Sequence, residues 1–79
     1  MNQARPYSIV AEIVGNVLMV AVAEGASVAA GDTIVILESM KMEIPVLTEF
    51  DGVVRDLAVH PGDVVQEGDV LAVVDPVKV

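Results

Sequence analysis

The segment Glu38-Ser39-Met40-Lys41-Met42-Glu43 carries the reactive side chain that this sequence sets most clearly apart from its surroundings. The chain holds two lysines, Lys41 and Lys78, against twelve carboxylates, so a lysine here is not generic surface charge. A primary amine is a nucleophile toward acyl donors, but with an ordinary lysine pKa of about 10.4 it is protonated at neutral pH. Acylation then requires an enzyme that desolvates or deprotonates it, and nothing in this chain is placed to do so. Methionine on both sides is unusual for a solvated loop, whereas its long, polarizable side chain suits an adaptable recognition surface. Lys41 is the candidate acceptor, and Met40, Met42 and Glu38 are candidate recognition residues. The plainer alternative is a solvated turn lysine with methionines filling a core edge.

Such a lysine must be held on a rigid support. If strands ending at Glu38 and starting at Glu43 pair as a hairpin, Met40-Lys41 is a two-residue loop at its tip. Loops of that kind favour Asn-Gly or Gly-Xaa, because their central residues often need positive φ. The same register sets Glu38 opposite Glu43, a like-charge pair that weakens the sheet slightly. Two local rules are broken at one place, which suggests that the tip serves something other than folding.

The support itself is a repeat. Shifted by 37 positions, the sequence lies on itself without a gap: Gly15 meets Gly52, Val17 meets Val54, Ala21-Val22 meets Ala58-Val59, Gly25 meets Gly62, Val28 meets Val65, and Gly31-Asp32 meets Gly68-Asp69. Eight identities in the 24 positions from Gly15 to Glu38 are more than valine richness explains. Each half reads as short strands, Val17–Val22 and Thr33–Glu38 in the first, Val53–Val59 and Val70–Val74 in the second. Gly-Asp and Pro-Gly pairs punctuate them. No stretch shows helical periodicity. Two such units, neither able to bury its own apolar face, are expected to clasp into an all-β sandwich or flattened barrel. Val17/Val54, Val20/Leu57, Val22/Val59 and Val28/Val65 are apolar in both halves and are the expected core. Leu18 and Met19 face Arg55 and Asp56 in the alignment and are expected to be exposed, either as scattered surface hydrophobes, the plainer reading, or as a small docking patch.

Composition narrows the function classes. Seventy-nine residues make one small domain. The absence of cysteine removes disulfide and thiol chemistry and suggests a cytoplasmic setting. A net charge of −8 argues against nucleic acid. The longest apolar run, Val17 to Ala23, falls far short of the roughly 20 residues that span a bilayer, and Met1 to Tyr7 leads into no signal-peptide core. The chain reads as soluble, with no membrane partner. His60 stands alone before Pro61-Gly62 and is expected to be a solvated turn residue rather than a base or metal ligand. Glu12, Glu49, Glu38 and Glu43 could be cast as acid–base carboxylates, but no concave pocket is expected on so small a barrel. The chain is therefore not expected to be an enzyme. Lys78 lies 37 residues after Lys41, yet no strand follows it to form a hairpin, and it is expected to stay unmodified.

On its Met-Lys-Met tract and its internal repeat, the chain resembles the biotinyl carrier domains of biotin-dependent carboxylases, and especially small free-standing biotinylated proteins of actinobacteria. The resemblance covers residues 8–75, leaving 1–7 and 76–79 as tails. It implies a flattened, hammerhead-type barrel of two four-stranded antiparallel sheets with pseudo-twofold symmetry. It implies biotin in amide linkage to Lys41, Met40 and Met42 as the flanking methionines, and Glu38 as the acidic residue before them. Gly31-Asp32 and Gly68-Asp69 match structural turns. The implied partners are a biotin protein ligase, a biotin carboxylase and a carboxyltransferase. The sequence departs from the family pattern at Ala11-Glu12-Ile13-Val14-Gly15, which lacks the prolines of the usual Ala-Pro-Met-Pro-Gly, and at Ser39, where alanine is common. The gapless match around Glu24-Gly25 leaves no room for the extra thumb loop of some members. Two rival readings keep the fold: a lipoyl-type carrier, whose lysine usually stands in Asp-Lys-Ala, and a biotinylated protein with no carboxylase role.

Overall fold

A computed structural model describes residues 5–76. Valine and isoleucine, whose branched Cβ suits the pleated sheet, build eight strands and no helix among the described residues. They are β1 (Tyr7–Val10), β2 (Gly15–Val20), β3 (Ser27–Val28), β4 (Thr33–Ser39), β5 (Met42–Leu47), β6 (Gly52–Leu57), β7 (Val64–Val65) and β8 (Val70–Pro76). One sheet has the order β1-β8-β6-β3 and the other β5-β4-β2-β7, all pairings antiparallel. The expected fold, with two four-stranded sheets, is the one found.

The 37-residue offset is obeyed strand by strand. It carries β2 onto β6, β3 onto β7 and β4 onto β8, and it carries Tyr7–Val10 onto Ile44–Leu47 of β5. Both sheets break register at the same place, between Val17 and Met19 and between Val54 and Asp56. These bulges set two residues against one on the neighbouring strand. β2 and β6 end at Val20 and Leu57, two residues short of the ends expected from the apolar run. Ala21 and Ala58 each still donate one backbone bond, to the carbonyls of Ile34 and Leu71 at 2.8 and 2.9 Å, and Val22 packs half-buried against the core.

The core lies between the sheets and is aliphatic: Val17, Ile34, Val35, Leu37, Val54, Leu71 and Val74 are all but fully buried. Of the residues expected there, Val17, Val28, Val54, Val59 and Val65 are buried, while Val20, Val22 and Leu57 pack at its edge. The Gly-Asp turns work as paired devices. Gly31 and Gly68 both adopt φ 94°, open to glycine but strained for other residues. Asp32 Oδ2 accepts from the Ala29 N–H and Asp69 Oδ2 from the Gln66 N–H, each at 2.9 Å.

The short strands β1, β3 and β7 had no distinct sequence signal, and neither did the link between Tyr7 and the β5–β6 turn. Tyr7 OH bonds to Thr48 Oγ1 and accepts from the Glu49 N–H at 2.9 Å. Its ring meets Phe50 edge-on at 4.7 Å. Thr48 is 1% exposed and donates to the Phe50 carbonyl at 2.9 Å. At the equivalent position the first half has Ala11, also 1% exposed. The polar substitution thus supplies a tie between the start of β1 and the far end of β5.

Candidate functional site

β4 runs through the middle of its sheet, between β5 and β2, and is rooted by Ile34, Val35 and Leu37. Its pairing with β5 runs Leu37↔Ile44, Glu38↔Glu43 and Ser39↔Met42, which leaves Met40 and Lys41 as the two-residue loop expected from the sequence. Both have positive φ, 53° and 66°, and they are the only non-glycine residues among those described that do. This left-handed pair is the geometry of a type I′ hairpin turn, which matches the twist of the flanking strands. A side chain with a Cβ costs about 1–2 kcal/mol there. The tip therefore holds strain that Asn-Gly would avoid, and it holds that strain on a buried, well-paired base.

The strain places side chains in solvent. Met40 is 91% exposed and Met42 64%. Neither fills a core edge, which removes the plainer account of the methionines. Lys41 is exposed, and among the described residues its ammonium pairs with no carboxylate. Glu38 is half-buried and Glu43 exposed, directly opposed across the strand pair. The structure brings Glu38, Met40, Lys41 and Met42 together at one end of the barrel, as the sequence implied. Lys78 lies outside the described residues.

Other candidates are dispersed. His60 is exposed in the turn before β7, its backbone N–H bonded to Asp63 Oδ2 at 2.8 Å. The expectation of no concavity is corrected: a cleft of about 360 Å³ opens between β1 and β5, with Glu12 and Glu49 on its lining. It exists because β1 and β5 are the outer strands of different sheets and are not hydrogen-bonded to each other. Its floor is formed by apolar residues such as Ile9, Leu37 and Val46, while Glu38 and Glu43 lie elsewhere. No group of three or more metal-ligating side chains occurs among the described residues.

The comparison with known proteins decides between an unusual turn and a carrier. A family described as "Biotin-requiring enzyme", the biotin/lipoyl family, matches residues 7–74. The chain belongs to this family. The biotinylated protein TB7.3 homolog of Mycobacterium leprae is 55% identical over 64 residues, which make up 81% of this chain and 90% of that protein. Among solved structures, a single-chain, multi-domain long-chain acyl-CoA carboxylase matches with a TM-score of 0.86 and 34% identity over 92% of this chain. The match spans 7% of that carboxylase's length, so the likeness is to one part of it. The lipoyl domain of the Azotobacter vinelandii 2-oxoglutarate dehydrogenase complex matches with a TM-score of 0.69 and 29% identity over 81% of this chain and 82% of that domain. The fold is common to both carrier types. Within the family the chain is a carrier domain and not a catalyst.

Proposed function

We propose that Lys41 is the attachment point of this carrier, with biotin joined in amide linkage to its side-chain nitrogen. The chain is a biotin carboxyl carrier. The observation that carries the residue assignment is the tip itself: a lysine between two exposed methionines, on a two-residue turn forced to positive φ. A lysine so displayed fits the group, because nothing covers it and an enzyme can enclose it from every side but one. Glu38, Met40 and Met42 form the surface by which the modifying enzyme recognises the site.

The chain's own contribution is mechanical. β4 and β5 hold the lysine at a fixed place, and the rooted hairpin keeps the attached arm clear of the body. Bound biotin supplies a ureido ring that accepts carboxylate at a biotin carboxylase and releases it at a carboxyltransferase. Tethering replaces a free search for each active site by a local one at high effective concentration. The partners are a biotin protein ligase and these two carboxylase components, and the setting is the cytoplasm.

Lipoate is the reading to be excluded by experiment, since a lipoyl domain shares the fold. The chain is expressed with a biotin protein ligase, biotin and ATP, and its intact mass and peptides are measured. One biotin per chain, lost in Lys41→Arg, is the expected result. An unmodified chain, or one lipoylated when a lipoate ligase is supplied instead, overturns it.

A further inference from the structure

The internal repeat gives every outward position on the lysine-bearing sheet a counterpart on the other sheet. At the β2 bulge, Leu18 and Met19 stand together on the outer face opposite Ile36, and Pro45 flanks Ile36 on β5. At the equivalent bulge of β6 stand Arg55 and Asp56, opposite Val73, with Ser8 flanking it on β1. The same backbone thus carries an apolar patch in one sheet and a polar one in the other. Folding does not explain the difference: Leu18 and Met19 are 41% and 46% exposed. In the other sheet Arg55 sits exposed and pairs with Asp75 at 3.6 Å. The next row toward the tip is Asn16, Glu38 and Glu43, and no cation among the described residues pairs with either carboxylate.

We infer that Leu18, Met19, Ile36 and Pro45 form a docking surface for the biotin protein ligase, seated against an apolar ridge bordered by basic side chains that face Glu38 and Glu43. This rests on Lys41 being the acceptor. Distances favour the ligase over the carboxylase components as the occupant. The atom that reacts with the ligase is the lysine nitrogen itself, only about 6 Å from the backbone. The ligase must therefore press on the hairpin and the faces beneath it. A carboxylase works on the ring, a whole acyl chain further out, and can reach it without touching the sheet. Ile36 lies three residues, about 10 Å, below the end of β4 at Ser39, and the two-residue turn that carries Lys41 follows at once. A standard footprint of about 800 Å² per partner is roughly 28 Å across and covers both tip and patch. The two carboxylates, opposed at a cost to the sheet, then find their partners across the interface, where complementary charge sets orientation and on-rate.

The test transplants the other half's residues. Leu18→Arg with Met19→Asp reproduces the pair that the second half already tolerates, so the barrel is expected to keep its circular dichroism and melting profile. Initial rates of biotinylation by a biotin protein ligase are measured against carrier concentration. A loss in kcat/KM of about tenfold or more, dominated by KM, is expected, while the mirror variant Arg55→Leu with Asp56→Met leaves the rate unchanged. Equal loss in both variants, or none in the first, overturns the assignment. So does a self-associated wild type that Leu18→Arg/Met19→Asp turns monomeric with its biotinylation rate intact, because the patch then serves a second copy of the chain. Failure of the wild type to accept biotin at all overturns the Lys41 assignment beneath it instead.

Discussion

Replacing Met40-Lys41 by Asn-Gly should make this protein more stable while destroying its use. Both residues sit at positive φ, 53° and 66°. Each side chain loses about 1–2 kcal/mol to the clash between its Cβ and the backbone. Glycine removes that clash but adds about 0.5–1 kcal/mol of unfolded-state freedom, and asparagine tolerates the left-handed region better than methionine. The net gain is about 1–2 kcal/mol, because Met40 at 91% exposure has almost no packing to lose. For a domain of this size that is a rise in Tm of roughly 4–16 °C, measured by circular dichroism and checked in urea, where the midpoint moves and the slope does not. Gly25→Ala provides the calibration. Gly25 has φ 87° and open space within 4 Å of an added Cβ, so its loss of stability reports backbone conformation alone. If Gly25→Ala destabilises as expected but Asn-Gly at the tip leaves Tm unchanged or lower, the tip is not strained and the reasoning fails. Met40→Asn alone should keep the acceptor lysine, recover part of the stability, and slow biotinylation.

Three further outcomes follow from the strand packing. An added Cβ at Gly52 meets the Asp75 carbonyl oxygen more closely than one at Gly15 meets the Glu38 carbonyl oxygen, at 2.7 Å. Gly52→Ala should therefore cost about 1–3 kcal/mol and exceed Gly15→Ala in a paired denaturation experiment; the reverse order would show that β8 yields more easily than β4. Tyr7→Phe keeps the ring contact with Phe50 and removes the bonds to Thr48 and Glu49, a loss of about 1 kcal/mol read as a lower Tm. Glu43→Gln relieves the opposition to Glu38 and should raise Tm slightly at low salt, with the gain shrinking as ionic strength screens the pair.

The sequence disclosed much of this architecture because the repeat made its own alignment. A position apolar in both halves had to face a common core, and the shared glycines fixed the turns. The tip was legible for the opposite reason: Met40-Lys41 and Glu38/Glu43 violate the rules that hairpins otherwise follow. What escaped detection depended on tertiary partners. β3 and β7 are two residues each, too short to show a period, and exist only because β6 and β2 offer them edges. The bulges add a residue to one strand without any marker, and the ends of β2 and β6 fall two residues before the end of the apolar run. Thr48 carried a faint signal, a hydroxyl where the first half has Ala11, but its meaning required Tyr7 and Phe50 brought close by the fold. The cleft between β1 and β5 is invisible in a linear reading, because it is the gap left where two sheets end without joining.

Two copies of one β unit within a chain also separate what the barrel requires from what the carrier requires. Wherever the halves agree, at Val17/Val54, Gly31/Gly68 or Asp32/Asp69, the shared residue answers a shared backbone need, and its role is exhausted by folding. Wherever they differ without a packing reason, folding leaves the choice open and something else has made it. The differences gather on the sheet that holds β4 and β5: an apolar pair at one bulge against a charged pair at the other, and the carboxylate Glu43 against Pro6. A rigid, nearly symmetric body with one altered end is what a carrier needs. The enzyme that loads it must find one side chain and hold it by the surface around it, while the rest of the barrel stays free to turn away.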